Sequence, residues 1–154
     1  MKVTIVYDNT AFRKDLQADW GFSALVEVEG RKILFDTGAD GDILLSNMEK
    51  LKINPEEIED IFISHLHWDH TGGLYSFLQV NSQVKLWVPS YFSEAKNVRE
   101  VIEVEKPTKL YEGIYSTGEL DRVEQSLCIK TEKGIVIIAG CSHPRMELIL
   151  KTAS

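Results

Sequence analysis

The segment SHLHWDHTGG at residues 64–73 constrains the fold of this chain more than any other stretch of its sequence. Three of the four histidines, His65, His67 and His70, lie within six positions here. A lone histidine is most often a satisfied core or surface residue. Three imidazoles in so short a stretch instead indicate a metal site, so the fold must bring further ligands to this segment.

The spacing of these residues suits one or two metal ions. On extended backbone, His65 and His67 point to the same side and can reach one ion. Asp69 and His70 follow on a turning chain and could hold a second cation close by, since two-metal hydrolytic sites place their ions about 3.5–4 Å apart. The fourth histidine, His143, follows a predicted strand and is the natural third imidazole for the first ion. Imidazole and carboxylate ligands suit zinc, with iron or manganese as alternatives.

Apolar patterning places the cluster between a strand and a helix. The predicted strands are Lys2–Tyr7, Phe22–Val28, Arg31–Phe35, Asp60–Ser64, Val84–Val88, Thr108–Tyr111, Ile114–Ser116, Val123–Thr131 and Ile135–Ala139. The predicted helical segments are Ile43–Leu51 with Asp40 or Asp42 as N-cap, a short helix capped by Asn54, Leu74–Val80, a mixed stretch from Ser90 to Val98, and a C-terminal helix entered at Pro144. Two groups of strands, each followed by helices, predict two sheets sandwiched between helices.

Composition favours one globular domain over residues 1–154, because 44% of the residues are hydrophobic and no repeat or linker marks a second domain. A formal net charge of −7 disfavours a nucleic-acid partner. No apolar run approaches the roughly 20 residues that cross a bilayer, and the N-terminus does not have the basic-then-apolar order of a signal peptide. We therefore expect a cytoplasmic protein without membrane contact.

Two cysteines are too few for a disulfide scaffold and form no CxxC pair. In a hairpin over residues 123–140, Cys128 would face a position near Ile137, so pairing with Cys141 would need distortion. Cys141 lies two residues before His143, but we interpret it as a small buried residue rather than a ligand. Trp68 could line a substrate pocket or pack internally.

Three motifs resemble those of a known family. The sequence HLHWDH at 65–70 matches the HxHxDH signature of the metallo-β-lactamase superfamily, LFDTG at 34–38 resembles its upstream aspartate motif, and GCSH at 140–143 resembles its third motif. Within that superfamily, residues 124–144 are similar to the branch of dihydropterin-ribofuranosylaminobenzene phosphate synthases and related metal-dependent hydrolases. The resemblance spans Val3 to about Ile149. It implies an α/β fold, a four-layer αββα sandwich of the metallo-β-lactamase type, shortened at its C-terminal end.

The resemblance also implies roles for individual residues. It assigns three ligands to a first ion and two to a second: His65, His67 and His143, then Asp69 and His70. Asp36 would support the site by orienting these ligands without binding an ion itself. The alternative for Asp36 is a turn aspartate that hydrogen-bonds its own backbone, and both roles could coexist.

Members of the superfamily normally continue beyond the third motif to a further acidic ligand, or a substitute for it, and a last histidine. In this chain 11 residues follow His143, and their only carboxylate side chain is that of Glu147. We therefore expect the second site to be incomplete within one chain. Three explanations remain open: a mononuclear or weakly binuclear enzyme, a site completed by another chain, or a truncated product. Apolar surface left uncovered in this half would favour a homo-oligomer.

The expected function is metal-dependent hydrolysis, in which a metal-bound hydroxide attacks an ester, lactone or phosphodiester small-molecule substrate. Asp69 would act as general base where the second ion is absent. The sequence contains no GxSxG, P-loop or GxGxxG motif, so serine catalysis, nucleoside triphosphate hydrolysis and dinucleotide redox chemistry have no support. The alternatives are a non-catalytic or remnant metal-binding protein and, ranked last, a di-iron redox protein.

Overall fold

Two β-sheets form the framework of the computed structural model, which describes residues 1–92 and 95–154. The first sheet has six strands in chain order: β1 (Lys2–Tyr7), β2 (Ser23–Val28), β3 (Arg31–Phe35), β4 (Asp60–Phe62), β5 (Lys85–Val88) and β6 (Glu100–Glu103). The second has four strands, in the spatial order β10 (Gly134–Ile138), β9 (Leu127–Thr131), β8 (Ile114–Ser116) and β7 (Thr108–Tyr111). The strands of the second sheet are antiparallel throughout.

The helices are α1 (Gly41–Lys50), α2 (Trp68–Thr71), α3 (Leu74–Val80) and α4 (Met146–Ala153), with a 3-10 helix at Pro55–Glu57. Of the two N-cap candidates for α1, the structure selects Asp40, whose Oδ1 accepts hydrogen bonds from the backbone N–H groups of Asp42 and Ile43. Asn54 caps the 3-10 helix in the predicted way. Within the described ranges, none of these helices is long and apolar enough to cross a membrane.

Successive side chains along the strands of the first sheet point to opposite faces, and each face forms its own hydrophobic core. Ile33 and Phe35 face the second sheet, where they join a buried cluster with Phe62, and the rings of Phe35 and Phe62 stack at 5.6 Å between centroids. Leu34 faces the opposite way and packs in a second cluster with the buried residues of α1 and α3, including Leu44. The sheet is therefore covered on both faces, by helices on one side and by the second sheet on the other.

Parallel pairing of β3 with β4 positions the functional segments. These strands run in register, with Phe35 opposite Phe62, so both chains leave the sheet at the same edge. Asp36 directly follows β3, and Ser64 with His65 follows β4. The aspartate motif and the histidine motif meet because their strands are adjacent and parallel.

The outer face of the second sheet carries the alternate residues of β8 and β9, including Tyr115 and Cys128. Together with the C-terminal end of α4, at Thr152 and Ala153, they line a cleft of about 400 Å³. Cys128 lies opposite Ile137, as predicted. Helix α4 thus supplies the outer layer of the second sheet, and the order helices, sheet, sheet, helix agrees with the predicted αββα arrangement.

The segment between β5 and β7 differs from the prediction. The helical stretch expected from Ser90 to Val98 is wrong for the described residues 90–92 and 95–98, which form turns and bends, while Ser93 and Glu94 lie outside the described residues. It leads into β6, an unpredicted strand that pairs with β5. Its sequence, Glu100–Glu103, reads charged, apolar, apolar, charged, and only Ile102 is partly buried, which suits an exposed edge strand.

Strand β9 is shorter than the predicted Val123–Thr131 and begins only at Leu127. Val123 lies in a turn and Glu124 forms only an isolated bridge with Leu120, and the buried side chains of Glu124 and Gln125 hydrogen-bond other segments. At the sheet edge, β10 has no fully buried residue, and Ile135 is 39% exposed. A homo-oligomer stays a prediction, and an apolar edge strand is a surface on which another chain can pair.

Asp60 connects the two sheets. Its Oδ1 accepts hydrogen bonds at 2.8 Å from Trp87 Nε1 on the neighbouring strand and at 2.8 Å from the Tyr111 hydroxyl on β7. Burial, together with the hydrogen bond to Asp60, raises the pKa of Tyr111 to about 12. The phenol therefore remains a donor across the whole neutral range.

Replacing Tyr111 by Phe should lower the free energy of unfolding by about 1–2 kcal/mol, because Asp60 loses one donor to a buried carboxylate oxygen. Urea denaturation followed by circular dichroism measures this change. Tyr75→Phe is the matched control, since Tyr75 is exposed on α3 and its removal should change stability by less than about 0.5 kcal/mol. Equal stability of the two variants would show that Asp60 does not connect the sheets energetically.

Candidate metal centre

Three histidines converge at the edge where β4 ends. His65 and His67 lie on the extended segment after β4, and His143 lies on the loop between β10 and α4. Their ring centroids form a nearly equilateral triangle, with separations of 4.6 Å, 4.8 Å and 4.7 Å. One ring nitrogen from each lies within 4.8 Å of the others. The structure thus brings together the three residues predicted for the first ion.

The buried imidazole of His65 presents a lone pair to this triangle. Ser64 Oγ donates its single proton to Asp36 Oδ2 at 2.6 Å, so it must accept from His65 Nδ1–H, 2.9 Å away. The lone pair of His65 then lies on Nε2, which is buried and has no hydrogen-bond partner among residues 1–92 and 95–154. A buried acceptor without a donor is the feature that a cation would satisfy, so the residues present fit a metal ion.

Electrostatics favours the ligand form of His65. Burial and the neighbouring imidazoles, His70 first among them, lower its pKa to about 3. The ring is therefore neutral at physiological pH, and a histidine must be neutral to bind a metal ion.

Asp36 is linked to two of the histidines, to His70 directly and to His65 through Ser64. Its buried carboxylate accepts hydrogen bonds from the Ser64 backbone N–H at 2.7 Å and from the Ser64 hydroxyl, and it contacts His70 Nδ1 at 2.6 Å. Burial raises the pKa of Asp36, and the hydrogen bonds from His70 and Ser64 oppose that shift. Both carboxylate oxygens are directed at other segments rather than at the backbone of Asp36 itself, and its role in orienting ligands stays a prediction.

His70 is also oriented by this contact. Because Nδ1–H donates to Asp36, the lone pair of His70 lies on Nε2. That atom is 3.1 Å from Cys141 Sγ and 3.6 Å from Asp69 Oδ2. Burial lowers the pKa of His70, but the hydrogen bond and charge of Asp36 outweigh it, and the net shift is upward. Asp69 Oδ2 and His70 Nε2 therefore lie close together, and their binding of a second ion stays a prediction.

Cys141 is placed differently from the prediction. The interpretation as a small buried residue is wrong, because Cys141 is exposed and its sulfur touches the His70 ring. The reason lies in the loop, where Ser142 adopts a left-handed conformation with φ of 54° and turns the chain sharply beside the histidines. Partial burial raises the thiol pKa, and the carboxylates of Asp69 and Glu124 add to the effect.

Glu124 is the residue that sequence reasoning missed. It is fully buried, and its carboxylate accepts three backbone hydrogen bonds from the loop, from Gly140 at 2.8 Å, Ser142 at 3.1 Å and His143 at 3.0 Å. The signal was present in the sequence, since an acidic residue at the start of an apolar strand needs a partner when it is buried. Glu124 fixes the loop that carries His143.

The next residue ties this loop to the other half of the site. The backbone N–H of Gln125 donates to Ser64 O at 2.9 Å, and its side-chain amide donates to Ile63 O at 2.8 Å. Residues 124 and 125 therefore hold both the segment that precedes His65 and the loop that ends in His143.

The two glycines that follow the cluster, Gly72 and Gly73, are needed because the space around them is filled by backbone. A Cβ on Gly72 would lie 2.0 Å from Ala39 O, and a Cβ on Gly73 would lie 2.2 Å from Thr37 O. Both glycines have right-handed helical φ values, so the constraint is space rather than conformation. The histidine segment and the Asp-Thr-Gly segment pack backbone against backbone.

Replacing Glu124 by Gln should destabilise the protein by about 2 kcal/mol, because the amide nitrogen cannot accept the N–H of His143. Metal affinity should fall as well, since the loop loses its fixed position. Denaturant unfolding and metal titration measure the two effects. Glu132→Gln, at an exposed turn position, is the matched control. Unchanged metal affinity in Glu124→Gln would contradict this role for the carboxylate.

Replacing Ser64 by Ala should weaken metal binding about 10–100-fold, because the link that fixes the His65 ring is lost. Chelator competition measures the affinity, and thermal unfolding confirms that the variant folds. Ser82→Ala, in the loop before β5, should bind metal as the parent chain does. If Ser64→Ala folds and binds with parental affinity, the hydroxyl does not orient His65.

The comparisons with known proteins agree with this geometry. Residues 20–147 match the model of the metallo-beta-lactamase superfamily, and the chain belongs to that superfamily. A 7,8-dihydropterin-6-methyl-4-(beta-D-ribofuranosyl)-aminobenzene-5'-phosphate synthase of Methanocaldococcus jannaschii is 30% identical, covering 96% of this chain and 69% of the relative. That alignment runs over 204 positions, more than the 154 residues of this chain, so the relative has internal segments without a counterpart here.

Solved structures show the same fold. A putative metallo-beta-lactamase from Thermotoga maritima superposes with a TM-score of 0.63 at 18% identity, covering 89% of this chain and 76% of its own. A quorum-quenching N-acyl homoserine lactone lactonase superposes with a TM-score of 0.60 at 22% identity, covering 86% of this chain and 71% of its own. The predicted family and α/β fold class are thereby confirmed.

Proposed function

We propose that this protein is a metal-dependent hydrolase that acts on an ester, lactone or phosphodiester of a small molecule. The observation that carries the proposal is the convergence of His65, His67 and His143 around the buried, unpaired lone pair of His65 Nε2. Support comes from the superfamily and from the lactonases among the structural neighbours. The methanogen relative is named as a synthase, so the choice of hydrolysis depends on the donor set of the site.

Three imidazoles would hold the first ion, and such a donor set suits zinc, with iron or manganese as alternatives. When bound, zinc in this environment supplies a nucleophile from water at neutral pH, because it lowers the pKa of that water to about 7. Asp36 and Ser64 keep the His65 ring in the tautomer that offers Nε2. This chain contributes the orientation of the ligands before any ion arrives.

Asp69 is the candidate general base where the second ion is absent. It lies in the first turn of α2, is only 13% exposed in its side chain, and its Oδ2 is 3.6 Å from His70 Nε2. A carboxylate here accepts the proton that the attacking water must lose. Its low exposure shields the carboxylate from most of the bulk water.

The substrate would approach from the side of His67 and His143, which are both exposed, whereas His65 is buried. Trp68 is 64% exposed beside His67, so it is available to contact an apolar part of a substrate. The net charge of −7 disfavours a nucleic-acid substrate. A cytoplasmic location stays a prediction.

The second candidate is a metal-binding protein without turnover. The openness of the site favours it, because pockets that bind small molecules usually bury most of the ligand surface, and two of the three imidazoles here are exposed. Metal binding would be retained in this case, and hydrolysis would be absent. Activity measurements on metal-loaded protein separate the two candidates.

Replacing His67 by Ala should abolish stoichiometric metal binding and hydrolysis together while the fold is retained, because His67 is exposed and contributes little to the core. Metal content, rates with aryl ester, lactone and phosphodiester substrates, and circular dichroism give the three readouts. Lys133→Ala, in the turn between β9 and β10, is the control for a surface change far from the cluster along the chain.

Hydrolysis by rigorously metal-free protein would contradict the proposed mechanism. Full metal loading of the parent chain without turnover on any of the three substrate classes would favour the metal-binding protein instead.

A further inference from the structure

A second group of metal-ligand atoms lies next to the first and includes a thiol. Cys141 Sγ is 3.1 Å from His70 Nε2, and Asp69 Oδ2 lies 3.6 Å from the same nitrogen. One ring nitrogen of His65 lies within 4.8 Å of both Cys141 Sγ and a ring nitrogen of His70, and the buried Nε2 of His65 has no hydrogen-bond partner in the described ranges. The proposed first-ion site accounts for His65, but it does not use Cys141.

Two separations within this second group, both measured from His70 Nε2, are close to those of ligands that share one ion. Zinc binds sulfur at about 2.3 Å and nitrogen or oxygen at about 2.0–2.1 Å, so in a tetrahedral site the ligand atoms lie about 3.3–3.6 Å apart. The two distances from His70 Nε2, 3.1 Å to sulfur and 3.6 Å to oxygen, lie close to that range. A small movement of the exposed Cys141 side chain would bring the distance from nitrogen to sulfur into it.

The direction of the His70 lone pair supports the same conclusion. Asp36 accepts the Nδ1–H of His70 at 2.6 Å, so Nε2 faces Cys141 and Asp69 as an acceptor. Without an ion, the thiol proton occupies the contact between sulfur and nitrogen. Binding of a divalent cation releases that proton to solvent and leaves a thiolate, a neutral imidazole and a carboxylate around the ion.

The loop that carries Cys141 is fixed in place before any ion binds. Glu124 holds the N–H groups of Gly140 and Ser142 on either side of the cysteine. A Cβ on Gly140 would lie 2.4 Å from Ser64 Oγ, so the loop packs directly on the histidine segment. The position of Cys141 is therefore set by its neighbours and does not depend on its own contact with His70.

We propose that Cys141 is a ligand of the second metal ion, together with Asp69 and His70. The inference rests on the proposed function, because the first ion is assigned to His65, His67 and His143. It changes the expectation of an incomplete second site, since a thiolate would supply a third protein ligand from within the described chain. A thiolate in the ligand set favours zinc over manganese or magnesium.

Cobalt(II) titration of metal-free protein under reducing, anaerobic conditions tests the proposal. The parent chain should bind about two ions and develop the near-ultraviolet charge-transfer absorption of a cobalt thiolate. Cys141→Ser and Cys141→Ala should lose that absorption and bind about one ion. Cys128→Ser is the matched control, because Cys128 is buried on β9 and should leave both the absorption and the stoichiometry unchanged.

Alkylation of the parent chain provides a test that needs no variant. Iodoacetamide should modify exposed Cys141 in metal-free protein, and zinc should slow that reaction at least about 10-fold, as measured by mass spectrometry of peptides. Buried Cys128 should remain unmodified in both states while the protein is folded.

Binding of cobalt without thiolate absorption, or unchanged absorption in both Cys141 variants, would overturn the assignment of Cys141 and leave the proposed function standing on the first ion. Equal alkylation rates with and without zinc, in protein shown to contain metal, would overturn it as well. If the parent chain bound no metal ion, both the second-ion assignment and the proposed function would fail.

Discussion

The buried carboxylate of Asp36 is the interaction on which the rest of the site depends. It lies where two parallel strands leave the first sheet, and it accepts hydrogen bonds from the segment that carries His65 and from His70. A carboxylate of zero exposure is stable only when such donors surround it, so the two segments satisfy the charge and the charge aligns the segments. Through Ser64 it also determines which nitrogen of His65 is available.

Glu124 performs a comparable task for the opposite side of the site. One buried carboxylate orients the imidazoles that follow β4, and the other fixes the loop after β10 by its backbone N–H groups. Neither residue is among the predicted ligands for the first ion. The side chains that would bind metal are therefore different from the two carboxylates that position them. This support fixes the ligand geometry although two of the imidazoles are exposed.

The sequence predicted those parts of the structure that depend on local pattern. The strands around β3 and β4, the helix capped by Asp40 and the cluster at His65, His67 and His70 all follow from short-range periodicity and spacing. The family resemblance added Asp36. Glu124 and Cys141 could not be predicted in the same way, because their surroundings come from residues distant in the chain. β6 was missed because its four residues do not alternate between charged and apolar and follow a segment without a clear period.

Gly72 and Gly73 pack closely against residues 37–39, so the two parts of the histidine motif are under different constraints. The imidazoles are required for metal binding, so a descendant that had lost its metal would be free to replace the histidines. The glycines are required by the short distance between two backbone segments, and that distance would remain in the inactive descendant. Within this family, a chain that keeps the glycines and has lost the histidines would therefore mark a retained fold with a discarded activity.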